Sequence, residues 1–233
     1  MKKKIIGIIP ARGGSKGIPK KNIINIFGKP LIYYSIKEAK KSKLITDLIV
    51  STDSEEIAKI SRKLGADVPF LRPKKLATDR MQTLPVIRHS IKFMEELKKI
   101  KYDYMVLLQP TCPLRNSTDI DSALKKLIRS NFNSITSIVD VGANHPYRMK
   151  FIKNNRLFNF VDQGFENMKP RQELKKVYIR NGSIYASNRE TIMRNNCLIS
   201  KKNMPYIMPH ERSINIDSLD DLIIAKHYLK KIN

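Results

Sequence analysis

The chain has no tryptophan, only two cysteines in 233 residues, and fewer than half as many acidic side chains (21) as basic ones (45). Each scarcity excludes something. Cys112 and Cys197 lie far apart with no CxxC spacing, which rules out a disulfide framework or a structural zinc knot and makes a reducing cytoplasm the natural setting. No apolar run approaches the roughly 20 residues needed to cross a bilayer, so no membrane partner is expected. The opening Met1-Lys2-Lys3-Lys4 followed by Ile5–Pro10 mimics a secretory leader only briefly. Its apolar part is short, and Arg12 and Lys16 stand where a small-residue cleavage site belongs. It reads instead as a buried first strand. At 41% hydrophobic residues the chain has enough apolar material for a sizeable core, and its length suits a single domain.

The formal charge of +24 is what a nucleic-acid binder would carry, because Lys and Arg displace counterions from phosphate. Composition favours another origin. Lysine supplies 31 of the 45 cations, and 32 Ile and 17 Asn accompany it. These three residues share AT-rich codons, so base composition raises them together. The cations are also scattered as pairs (Lys40-Lys41, Lys98-Lys99, Lys175-Lys176) rather than gathered in a stripe. No nucleic-acid partner is expected, although the field attracts small anions.

What is present is a regular alternation. Ile5–Ile9 is a continuous apolar run, as in a strand covered on both faces. Helical spacing follows over 31–42, a short strand over 48–50, and a helix over 55–64 led by capping residues at 51–54. Next come a helix over 84–99, a strand over 104–108, a helix over 117–130 begun by Thr118/Asp119, and a strand over 135–141. The pattern predicts a doubly wound, mostly parallel α/β sheet. It breaks down from 142 to 180, a polar, turn-rich stretch carrying Tyr147, Phe151, Phe158, Phe160 and Phe165. That is too long for an ordinary loop and suits an arm packing on a partner subunit. A strand resumes at 183–186, and 219–230 ends the chain as a helix. There is no internal repeat.

In such sheets ligands gather at the carboxyl ends of the strands. The loop after the first strand reads Pro10-Ala11-Arg12-Gly13-Gly14-Ser15-Lys16-Gly17-Ile18-Pro19-Lys20-Lys21-Asn22. Glycines let backbone N–H groups approach a bound group, Arg12, Lys16 and Lys21 add cations, and Ser15 and Asn22 add neutral donors. The combination suits a polyphosphate, yet it matches neither a Walker loop nor a Rossmann fingerprint.

The blocks IIPARGGSKGIPKKNI, GKPLI, VSTDSEEIA, LRPKKLATD, LLQPTCPLR and RNGSIY, in this order over nearly the whole chain, resemble the CMP-N-acylneuraminate synthetases. The resemblance implies a nucleotide-diphospho-sugar-transferase-like fold. It also implies transfer of CMP from CTP to the anomeric hydroxyl of a nonulosonic acid, with Mg²⁺, release of pyrophosphate and a homodimer whose exchanged arm is 142–180. By motif, Arg12, Ser15, Lys21 and Asn22, with Lys16 in the same loop, would hold the phosphates. Arg12 and Lys21 would neutralise the leaving pyrophosphate. Arg72, Met81 and Thr83 match positions around cytosine and ribose, and Gln109 matches one near the ribose and the incoming sugar. Arg171, Asn181 and Tyr185 match the sugar pocket. Asp217 would hold the metal, with Asn215 where family members commonly carry a second aspartate and Asp221 as another candidate ligand. Arg180 directly precedes Asn181, where the family spacing has one residue between, and is left outside the sugar site. Several residues also suit plainer roles, which weigh less than the site roles: Arg72 a loop cation, Thr83 a helix cap, Gln109 a partner for strand-end backbone, Tyr185 core packing. The resemblance leans toward neuraminate or legionaminate over pseudaminate, with Kdo the other sugar to be considered.

Overall fold

In the computed structural model of the chain, the described residues are 3–15, 17–162, 164 and 168–232. In chain order the strands and helices are β1 (Ile5–Pro10), β2 (Asn25–Ile26), β3 (Lys29–Pro30), α1 (Leu31–Lys41), β4 (Asp47–Ser51), α2 (Glu55–Lys63), α3 (Thr83–Lys98) and β5 (Tyr104–Leu107). They continue with α4 (Ser117–Ile128), β6 (Ser134–Asp140), β7 (Lys150–Lys153), β8 (Arg156–Asn159), β9 (Tyr178–Asn188), α5 (Arg189–Met193), β10 (Asn203–Ile207) and α6 (Leu219–Ile232). The central sheet runs β10-β6-β9-β5-β1-β4. β9 alone is reversed, antiparallel to both β5 and β6, so the sheet is mostly parallel, as predicted.

The apolar run of β1 is buried on both faces because successive strand side chains point to opposite sides. Ile5 and Ile9 join a core layer with Ile36 of α1, Ile57 of α2 and Leu124 of α4. Ile6 and Ile8 join the other layer with Ile87 and Ile91 of α3 and Ile192 of α5. Helices therefore cover both faces, which defines the doubly wound arrangement. A third cluster docks α6 beneath the first loop, through Ile18, Ile26, Leu31, Ile216 and Leu222.

Local chemistry sets the helix starts. Ser54 caps α2 by accepting from Ile57 N. For α4 the cap is Asn116, not Thr118/Asp119: its side chain accepts from Asp119 N at 2.8 Å while Asp119 returns a bond from Asn116 N. An aspartate at the third helical position completes this reciprocal box better than it caps. Thr83 opens α3 as its first residue, and the preceding Gln82 makes no side-chain cap.

Two expectations change. The 142–180 stretch is not irregular throughout: β7 and β8 pair as an antiparallel hairpin, with Phe151 stacked on Phe158 at 5.4 Å. Phe165 lies outside the described residues. The strand expected at 183–186 extends over eleven residues, because β9 pairs on both sides and is continued past a bulge opposite Thr136–Ile138. At that bulge Ser137 Oγ accepts from Ile184 N at 2.7 Å, standing in for a ladder bond.

Candidate active site

β1, β4 and β5 end on the same edge of the sheet, and so deliver Pro10, Ser51 and the loop beginning at Leu108 to one place. The reversed β9 brings Asn181 and Gly182 to that edge from the opposite direction. A hollow of about 410 Å³ opens there. Its wall includes Arg12, Ser15, Gly17, Lys21 and Asn22 from the first loop, with Arg72, Met81 and Thr83 from the segment leading into α3. Gln109 and Asp217 complete it. Nearly every residue assigned to nucleotide and metal is thus brought together; Lys16 lies outside the described residues.

The hollow is ringed by cations in defined states. Arg72 is buried, donating through Nε to Ser51 Oγ at 3.1 Å and through Nη2 to the Ser51 carbonyl at 2.5 Å. Burial, with Asp53 pulling upward and Arg12 pushing down, lowers this guanidinium to about 10, so it remains charged at neutral pH. Arg12 pairs with Asp79 across the opening. Lys21 donates to Asp217 Oδ1 and to the Ile216 carbonyl, each at 2.9 Å. Asn22 is buried and donates to the Arg12 carbonyl at 2.9 Å, which fixes the bend that presents Arg12. Gly13 N donates to Asp53 at 3.0 Å. Gly17 is required by proximity: a Cβ there would lie 2.7 Å from the Asp217 carbonyl oxygen.

Of the four residues assigned to the sugar, Gln109 lines the hollow and Asn181, Tyr185 and Arg171 do not. Asn181 sits on the rim of the same edge, but its amide is engaged: Oδ1 accepts from Ser137 Oγ at 2.5 Å and Nδ2 donates to Ser213 at 2.8 Å. Tyr185 packs on the α3 face against the second core layer. Arg171 lies on a turn of the 142–180 segment beside His145 and Asp140, in a separate hollow.

Asp79, Cys112, Arg115 and Gly182 were not singled out by sequence reasoning. Asp79 was legible in principle as the one acid of its block. The others are visible only in three dimensions. Arg115 is fully buried, lowered by that burial to about 10, and clamps the loop after β5 by donating to the Ser183 carbonyl at 2.7 Å and to Ser35 Oγ at 2.6 Å. Gly182 has φ +79°, and a Cβ on it would meet Gln109 Oε1 at 2.9 Å.

Among the described residues, no three His, Cys, Asp or Glu side chains converge in a way that would hold a metal ion. A hard divalent cation such as Mg²⁺ needs few protein carboxylates when phosphate oxygens complete its shell. Asp217, on the hollow wall beside Lys21, meets that requirement as a single ligand. Asp221 is held at the start of α6, where its Oδ2 accepts from Asp217 N, Ser218 N and Ser218 Oγ.

The open, mostly parallel α/β sheet is the fold shared with solved nucleotide-transferring synthetases. A solved CMP:2-keto-3-deoxy-manno-octonic acid synthetase complexed with CTP superposes with a TM-score of 0.71 over 99% of this chain and 100% of its own, at 17% identity. Within that class the chain belongs to the cytidylyltransferase family, whose model matches residues 6–223. It is 32% identical to a pseudaminic acid cytidylyltransferase of Campylobacter jejuni, over 97% of this chain and 96% of that one. It is 34% identical to a CMP-N,N'-diacetyllegionaminic acid synthase of the same species, over 98% and 96%. It is 32% identical to an N-acylneuraminate cytidylyltransferase of Escherichia coli, over 100% of this chain and 54% of that longer one.

Proposed function

We propose that the chain transfers CMP from CTP to the anomeric hydroxyl of a nonulosonic acid of the neuraminate or legionaminate type, releasing pyrophosphate, as a cytoplasmic homodimer. The observation that carries this reading is the convergence of Arg12, Ser15, Lys21 and Asn22 with Arg72, Gln109 and Asp217 around one hollow. No described helix is long and apolar enough to cross a membrane, which is compatible with that setting. A second reading, pseudaminate as acceptor, is favoured by the relative of that name matching at nearly full length in both chains.

In this mechanism the anomeric hydroxyl oxygen attacks the α-phosphorus in line, its proton passes to water, and the bond from that phosphorus to the β-phosphate oxygen breaks so that pyrophosphate departs on the far side. Phosphoryl transfer asks the protein mainly for positioning and charge neutralisation. Arg12 and Lys21 release Asp79 and Asp217 to take the β- and γ-phosphates, and stabilise the charge growing on the leaving group. Met81 and Thr83, at the start of α3, and the buried Arg72 bound the nucleoside. Gln109 orients the acceptor, its loop fixed from behind by Arg115. Mg²⁺, held by Asp217, would add Lewis-acid screening of the phosphate oxygens. The 142–180 arm would reach a partner subunit, carrying Arg171 toward the partner's sugar subsite.

The test is pyrophosphate release measured with CTP, UTP, ATP and GTP against N-acetylneuraminate, legionaminate, pseudaminate and Kdo. Turnover with CTP and one of the first two sugars is expected. Turnover confined to pseudaminate selects the second reading, and turnover confined to Kdo or to another nucleotide overturns both.

A further inference from the structure

Beside the hollow, three segments meet, carrying Cys112, Asn181, and Asn215 with Asp217. Cys112 is fully buried, and its S–H faces the Asn181 carbonyl at 3.4 Å and Asn215 Oδ1 at 3.6 Å. Asn215 Nδ2 in turn donates to Asp217 Oδ2 at 2.5 Å. A carboxylate only accepts, so the amide must present its nitrogen to Asp217 and its oxygen to the thiol. Between the two side chains, Ile216 is fully buried and its N–H donates to the Thr111 carbonyl at 2.8 Å, which anchors the segment. Both oxygens of Asp217 are therefore engaged: Oδ1 by Lys21 and Oδ2 by Asn215.

We propose that Asn215 is a positioning residue that makes divalent-cation binding at Asp217 conditional on the nucleotide. The inference rests on the triphosphate reading of the hollow. Without nucleotide, a cation at Asp217 would have to displace an ammonium 2.9 Å away and would gain one carboxylate from the chain in return. Hydrated Mg²⁺ sheds water reluctantly for so poor a ligand set. A triphosphate that draws Lys21 away frees Oδ1 and supplies further oxygens at the same moment. The amide keeps Oδ2 engaged throughout, so Asp217 meets the cation through one oxygen in a fixed orientation. An aspartate at 215 would reverse this order. Two carboxylates brought that close repel each other, and a cation between them relieves that repulsion with no nucleotide present.

The experiment is a Mn²⁺ titration followed by electron paramagnetic resonance on the nucleotide-free wild type, Asn215→Asp and Asp217→Asn, with CTP binding to metal-free wild type measured separately by calorimetry. Asn215→Asp is expected to bind Mn²⁺ about ten-fold or more tighter than wild type, since ligand charge count sets such affinities. Equal affinities in the two proteins overturn the role given to Asn215. If Asn215→Asp does not fold, the wild type still decides: a saturable nucleotide-free Mn²⁺ site that Asp217→Asn abolishes overturns the proposal. Failure of CTP to bind metal-free wild type overturns instead the triphosphate reading on which it stands.

Discussion

Arg12 and Glu95 illustrate two uses of a charged side chain. Arg12 projects from a glycine-flanked bend, paired with Asp79 and held by Asn22 at its carbonyl. Losing a cation placed where charge develops typically costs about 10²–10³-fold in rate. Arg12→Ala is expected to fall that far in turnover in a pyrophosphate-release assay with little change in thermal stability; near-normal turnover would remove Arg12 from the mechanism. Glu95, by contrast, is buried away from the hollow, where it accepts from Arg189 Nε at 2.7 Å, Arg189 Nη2 at 2.9 Å and Lys101 at 3.0 Å. Burial alone would raise its carboxyl, but the bonds from Arg189, Lys101 and the Tyr102 N–H prevail and hold it below the ordinary glutamate value. A group whose folded pKa is depressed contributes stability above its unfolded value and loses it as pH falls through the folded one. Glu95→Ala is therefore expected to cost about 1.5–3 kcal/mol at neutral pH, because it removes charge-assisted bonds whose donors, Arg189 and Lys101, are partly exposed and can rehydrate. Urea melts should show that difference narrowing below about pH 4, as the wild-type carboxylate protonates.

At the scale of elements, the helices and parallel strands follow from sequence periodicity, while the additions to them do not. α3 and β1 declare themselves because α3 buries one helical stripe against a single layer and β1 runs as a continuous apolar stretch between two layers. β10 was missed, since Asn203-Met204-Pro205-Tyr206-Ile207 is short, polar at its start and interrupted by proline. Its proline is tolerated because β10 is an edge strand paired only with β6. The β7–β8 hairpin was missed for another reason: among the described residues, its apolar side chains have no core beneath them. Phe151 and Phe158 are 46% and 41% exposed, with Ile152 and Leu157 more so. Such an exposed apolar ribbon is what a partner subunit would cover. Phe151→Glu combined with Phe158→Glu is expected to convert the proposed dimer to a monomer in light scattering, with the circular dichroism of the central sheet retained. An unchanged mass would detach the arm from dimerisation.

Over the whole molecule, the charge of +24 acts on ligands through a field. That field draws a polyphosphate toward a hollow already lined by Arg12, Lys21 and Arg72. Screening shortens from about 10 Å at 0.1 M salt to about 3 Å at 1 M. The KM for CTP is therefore expected to rise several-fold over that range while kcat changes little, because the contacts inside the site are shielded from bulk ions. A flat KM would leave the excess lysine without a part in substrate capture.

The sequence by itself determined the alternation of buried strands and amphipathic helices, and the anion-seeking character of the 10–22 loop. Both are written in local spacing and residue type, and neither needs a distant partner to be recognised. Only the tertiary structure decided that β9 runs against its neighbours. It alone brings Asn181 and Gly182 against Cys112 and Gln109, and closes Asp217 onto Lys21 from nearly two hundred residues away. Those contacts depend on which segments the sheet order sets side by side, and chain spacing carries no record of that.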